Sequence, residues 1–177
     1  MARLEIDGYG QLELNNVAFR RDGRVEAQLP LSAEDFEDAP AENGMLLAVD
    51  RLAGEIKLPT EDSELIALHY SAEHMYDERL AGLNNFKLEV GDFYPRLGYL
   101  ANGDTFTTNT VSHSTSSAAL VTALGKLSET PLYGNPSEDG SILIGPASEG
   151  GGDLLKVIAK TTMPNGSLGV KFQVIGA

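Results

Sequence analysis

Six Asx-Gly dipeptides punctuate the chain: Asp7-Gly8, Asp22-Gly23, Asn43-Gly44, Asn102-Gly103, Asp139-Gly140 and Asn165-Gly166. A glycine after Asn or Asp supplies the positive φ that tight turns require. Several of these turns separate short alternating or apolar segments. Short strands at close spacing favour two packed sheets or a barrel over a doubly wound sheet. The expected fold class is mainly β: an antiparallel β-sandwich or barrel with short helical segments.

The segments between the turns give specific expectations. Gln11 to Leu14 and Val17 to Phe19 lead to the turn at Asp22-Gly23, and Val25 to Leu29 returns with period-two alternation, which predicts an N-terminal hairpin. At the other end, Leu154 to Ala159 and Leu168 to Ile175 flank Thr161 to Gly166, which predicts a second hairpin. Further strands are expected at Met45 to Val49, Glu55 to Leu58, Phe86 to Val90, Thr105 to Val111 and Ser141 to Ile144. Ser117 to Leu127 has helical spacing, interrupted by Gly125, and Ser32 to Phe36 opens like an N-cap followed by acids. Leu65 to Tyr70 is too short and apolar for periodicity to separate helix from strand.

At 177 residues the chain is long enough to bury a core without disulfides or a structural metal, and it contains no cysteine. It reads as a single β-rich domain over 1–177, with an N-terminal arm (about 1–30) and an acidic middle lobe (about 30–92) as candidate subdivisions. Pro40 to Gly44, Ser112 to Ser117 and Ser148 to Gly152 read as linkers, with Gly150-Gly151-Gly152 most like a flexible loop. Met1 to Phe19 could add a strand to a neighbouring subunit or serve as a strand of its own domain. No apolar run approaches the roughly 20 residues that cross a bilayer, and Met1 to Asp7 lacks a signal-peptide core, so the mature protein is expected to start at or near Met1.

Charge narrows the partners. The formal net charge is −13, and residues 30–92 hold 15 acidic residues against 4 basic ones. A phosphate backbone is repelled by such a surface, so nucleic acid is not an expected partner. The acidic middle reads as a solvated face, or as a surface that docks on a basic partner.

Motifs that carry chemistry are missing from the sequence. His69 and His74 are five apart, outside the i, i+4 spacing that presents two imidazoles to one zinc, and His69 sits in an apolar run that suits packing. His113 beside Ser114 to Ser117 has no orienting context, and no G-x-S-x-G occurs. Glu34, Asp35, Glu37 and Asp38 form an acidic cluster without the spacing of an EF-hand loop. Gly150-Gly151-Gly152-Asp153 lacks the lysine of a phosphate loop, and Asn165-Gly166-Ser167 matches a glycosylation sequon that coincides with a turn. No catalytic, cofactor-binding or metal-ligating residue is assigned, and no cofactor is expected.

One stretch carries a resemblance. Tyr94-Pro95-Arg96-Leu97-Gly98-Tyr99-Leu100 and Gly103-Asp104-Thr105-Phe106-Thr107-Thr108-Asn109-Thr110-Val111 resemble small virion proteins of tailed bacteriophages, described as head decoration or capsid-associated proteins. Tyr70-Ser71-Ala72-Glu73 and Leu83 to Leu88 fit the same pattern, so the resemblance spans Leu65 to Val111. It implies a non-enzymatic structural protein, made in the host bacterial cytoplasm and placed on the capsid surface of the virion. The implied partners are the major capsid protein and other copies of the chain, with a trimer as one arrangement. The alternative is a receptor- or carbohydrate-binding β-sandwich of a tail or fibre, weakened by the absence of Trp and by only six Tyr and six Phe. A small enzyme using carboxylates alone is the third option and requires two convergent acids in an apolar cleft.

Overall fold

The computed structural model describes residues 1–6, 8–61, 63, 65–71, 86–149, 151–163 and 166–176. Its strands are β1 (Ala2–Arg3), β2 (Leu12–Asn16), β3 (Val25–Glu26), β4 (Leu46–Asp50), β5 (Glu55–Lys57), β6 (Ile66–His69) and β7 (Leu97–Gly98). They continue with β8 (Thr105–Thr108), β9 (Val111–His113), β10 (Tyr133–Pro136), β11 (Ile142–Gly145), β12 (Leu155–Thr162) and β13 (Leu168–Val174). Two helices, α1 (Ala18–Asp22) and α2 (Ser117–Leu124), complete the described elements. The strands form an eight-stranded sheet in the order β1-β9-β11-β10-β12-β13-β8-β2 and a five-stranded sheet in the order β3-β7-β6-β4-β5. Every pairing is antiparallel except β11 with β9. The chain is mainly β, with two sheets and no closed barrel, as the turn pattern predicts.

The glycine of each Asx-Gly pair has positive φ: 84° at Gly8, 69° at Gly23, 83° at Gly44, 93° at Gly103, 76° at Gly140 and 87° at Gly166. Two of them close hairpins, β10–β11 at Gly140 and β12–β13 at Gly166. Others serve different ends. Gly23 ends α1, where the Arg24 N–H reaches the Phe19 carbonyl at 3.0 Å.

The expected N-terminal hairpin does not form. β2 pairs with β8 in the large sheet, whereas β3 pairs with β7 in the small one. Between them Ala18 to Asp22 coils into α1, because Phe19 is wholly buried and anchors the crossing. Its ring lies 5.0 Å from that of Tyr70 and against Gly98, where a Cβ would sit 2.5 Å from the Phe19 ring carbons. No side chain of α1's own N-terminus caps it. Asp104 does so from the start of the neighbouring strand β8, accepting the Ala18 N–H at 2.8 Å and the Ala101 N–H at 3.0 Å.

The main core lies between the sheets. Phe106, Ile142, Ile144, Leu155, Val170 and Phe172 of the large sheet meet Leu46 and Leu68 of the small one. α2 adds Leu120 and Leu124; its N-cap is Ser116, whose hydroxyl accepts the Ala119 N–H. A second cluster covers the opposite face of the small sheet: Leu47, Val49, Ile56, Ala67 and Leu97 pack against Leu31, Phe36, Ala41, Phe86 and Leu88. The small sheet is therefore buried on both faces, which explains why β4 reads as an unbroken apolar run rather than an alternation.

This third layer corrects three further expectations. Pro40 to Gly44 is not a linker, since Ala41 is buried in this second cluster and Glu42 and Asn43 are buried beside it. Phe86 to Val90 is not a strand; Leu88 makes a single bridge to Ala41. Ser32 to Phe36 closes one turn, Phe36 N–H to Ser32 O at 3.2 Å, without becoming a helix. The expected strand Thr105 to Val111 divides into β8 and β9, and the ambiguous Leu65 to Tyr70 contains strand β6.

Candidate functional site: an anchored aromatic loop

Several of the polar residues singled out from the sequence are tied into the scaffold, whereas Glu34, Glu37 and Asp38 are exposed. His69 is fully buried at the end of β6. Its Nδ1 lies 2.7 Å from the Glu42 carbonyl oxygen, which only accepts, so Nδ1 carries the proton. Nε2 therefore accepts from the Ser71 hydroxyl at 2.7 Å, and Ser71 Oγ accepts the Arg96 N–H at 2.7 Å. Burial pushes the imidazole down to about 4 and outweighs its contacts with Glu42, so the ring is neutral near pH 7. His113, at the end of β9, contacts Thr115 locally, and His74 lies outside the described residues.

Glu42 organises the seam where the N-terminus crosses to the small sheet's loops. Its carboxylate takes two hydrogen bonds from Arg3, at 2.7 and 3.0 Å, and one from the Gly10 N–H at 2.5 Å. Beside it Thr110 donates to the Asn43 carbonyl and Thr108 to the Gln11 carbonyl, each at 2.6 Å. Gly10 and Gly44 sit so close to these threonines that a Cβ at either would collide with Thr110 or Thr108 Oγ1.

Of the acidic cluster, Asp35 accepts the Leu58 N–H at 2.9 Å, and among the described residues no three His, Asp or Glu side chains gather as metal ligands. Asp153 closes the Ser148 loop, accepting from Ser148 Oγ at 2.6 Å and Asn135 Nδ2 at 2.8 Å. Burial alone would raise Asp153, but these bonds prevail and hold it below the usual carboxylate range. Gly150 and Asn165 lie outside the described residues.

The fold also leaves large apolar side chains uncovered. Between Leu88 and Leu97 the chain forms a loop held at both ends: Leu88 bridges Ala41, and the Arg96 carbonyl accepts the Tyr70 N–H at 3.0 Å. An internal turn, Asp92 N–H to Glu89 O at 3.1 Å with Asp92 accepting back from the Glu89 N–H at 2.8 Å, shapes its crown. On this frame Phe93 is 57% exposed, Tyr94 53% and Val90 42%. Phe93, Tyr94 and Arg96 also border a hollow of about 310 Å³ shared with Ala27 and Ser71. Sequence reading passed over Phe93; its signal was an aromatic pair between an acid and a proline, Asp92-Phe93-Tyr94-Pro95, outside any strand pattern.

A wider groove of about 820 Å³ opens elsewhere, bordered by Tyr99, Asn135, Leu143, Leu154, Glu61 and Glu138 among others. Two of its polar side chains are tied to the scaffold. The Tyr99 hydroxyl is held by Arg51 at 3.0 Å, and both ends of the Asn135 amide are bonded to Asp153 and to the Leu154 N–H. Among the described residues no helix is long and apolar enough to cross a membrane. No family model, no curated protein and no solved structure matches the chain.

Proposed function

We propose that the chain is a non-enzymatic virion structural protein that decorates or cements a bacteriophage capsid by binding the major capsid protein. The observation that carries this reading is the anchored loop with Phe93 and Tyr94 each more than half exposed. Aromatics on a frame ordered before binding lose little conformational entropy on docking, and they dominate protein–protein hot spots. Tyr94 also opens the stretch that resembles phage head proteins. The net charge of −13 suits a protein facing solvent on a particle that holds DNA. Purified chain incubated with empty capsid-protein shells from the same particle is expected to co-sediment at a saturable ratio and to protect the shells against heat.

A second reading, a receptor- or carbohydrate-binding module, is favoured by the presence of Tyr99 and Asn135 in the wall of the larger groove. It is the weaker of the two, because the Tyr99 ring already carries Arg51 5.9 Å from its centroid and the Asn135 amide is satisfied internally. Saturable binding to an immobilised glycan panel, lost on Tyr99→Ala, would favour it.

A further inference from the structure

We propose that a second surface, lined by other residues than the hollow at the aromatic loop, binds a polypeptide segment of a partner protein in which Lys or Arg residues alternate with aliphatic ones. Two hollows, of about 820 and 780 Å³, meet at Thr60, Ser63 and Leu65, which border both. Each is the size of a single small-molecule site, so two that adjoin suit an elongated ligand. The first has partly buried aliphatic walls in Leu65, Ile66, Leu143 and Leu154, and the second carries Leu52, which is fully exposed.

The charge of the rim selects the partner. Among the described residues Glu61 and Glu138 border the first hollow, and no Lys or Arg does. Glu34, Asp35 and Asp50 border the second together with Arg51 and Lys57. Both of those cations are already engaged, Lys57 with Asp50 at 3.0 Å and Glu55 at 3.3 Å, Arg51 with the Tyr99 hydroxyl at 3.0 Å. Glu34, Glu61 and Glu138 are exposed and form no ion pair with another described residue. An acidic rim repels nucleic acid and anionic lipid, while aliphatic walls give a bare polycation nothing to bury. A chain that pairs cationic with aliphatic side chains satisfies both. The proposal stands independently of the capsid reading, since no described residue of these hollows borders the Phe93–Tyr94 hollow.

Fluorescence anisotropy of the full chain with a short fluorescein-labelled peptide alternating Lys and Leu tests it, with Lys/Ser and Glu/Leu peptides as controls. Saturable binding of the Lys/Leu peptide alone is expected. It should weaken by about tenfold in Glu61→Lys/Glu138→Lys, whose exposed positions leave the fold intact, and stay unchanged in Phe93→Ser/Tyr94→Ser. Leu143→Ser should weaken it without changing its salt dependence. Equal binding of the Lys/Ser peptide, no saturable binding, or binding indifferent to the Glu61 and Glu138 reversals would overturn the proposal. Loss of binding only in the Phe93/Tyr94 variant would overturn it too, moving the peptide site to the aromatic loop.

Discussion

Arg3 grips Glu42 through both of its terminal nitrogens, at 2.7 and 3.0 Å, and so ties the first strand of the large sheet to the loop beneath the small one. The Glu42 side chain is 8% exposed and Arg3's is 35% exposed. Removing Arg3 leaves a buried carboxylate with the Gly10 N–H as its remaining side-chain-directed donor among the described residues. Arg3→Ala should cost about 2 kcal/mol, less than a wholly buried pair because water reaches Arg3. Urea unfolding of Arg3→Ala, Glu42→Gln and the double variant should give a double variant less destabilised than the sum of the singles.

His69 makes the fold acid-sensitive. Its folded value lies near 4, below the usual value of about 6.5, so the unfolded chain takes up a proton that the native state resists. The contribution to stability is complete above pH 6.5 and is lost as pH falls toward 4, by at most about 3 kcal/mol. His69→Asn keeps a donor for the Glu42 carbonyl but cannot titrate. It should be less stable than the parent at pH 7, and thermal unfolding should show a shallower fall between pH 6.5 and 5. Parallel slopes for the two proteins would contradict this.

The close approach at Gly44 separates two glycines of similar backbone. Gly44 has φ 83° and faces Thr108; Gly54 has φ 77° and faces open space. Gly44→Ala combines backbone strain with collision and should cost about 3 kcal/mol or more, whereas Gly54→Ala carries only the strain of about 1 kcal/mol. Thermal denaturation of both variants checks the difference.

Gly98 tests the crossing between the sheets. Its missing side chain makes room for Phe19, so Gly98→Ala should destabilise by about 2 kcal/mol through overpacking. Phe19→Leu in the same chain should recover part of the loss. Additive losses would contradict the assignment.

The β12–β13 hairpin, α2 and the six positive-φ glycines were legible in the sequence because each depends on neighbours along the chain. The partition of strands between sheets was not. Leu12 to Leu14 and Val25 to Leu29 alternate as a hairpin would, and only the burial of Phe19 against Gly98 and Tyr70, residues far along the chain, sends them apart. Pro40 to Gly44 has the composition of a linker, yet it is buried because the second face of the small sheet needs cover. The polar seam was hidden for the same reason: Arg3, Glu42 and Thr110 meet only in three dimensions. The aromatic loop was half visible, with Tyr94 noticed as part of a resemblance and Phe93 not.

The most direct test of the account is co-sedimentation of the chain with empty capsid-protein shells from the same particle, comparing the parent with Phe93→Ser/Tyr94→Ser. Both side chains are exposed, so the variant should unfold at nearly the parent's temperature. The account predicts that the parent binds at a saturable, symmetry-sized ratio and raises the shells' resistance to heat, while the folded variant stays in the supernatant. A parent that binds shells of no maturation state, or a variant that binds as well as the parent, would contradict it.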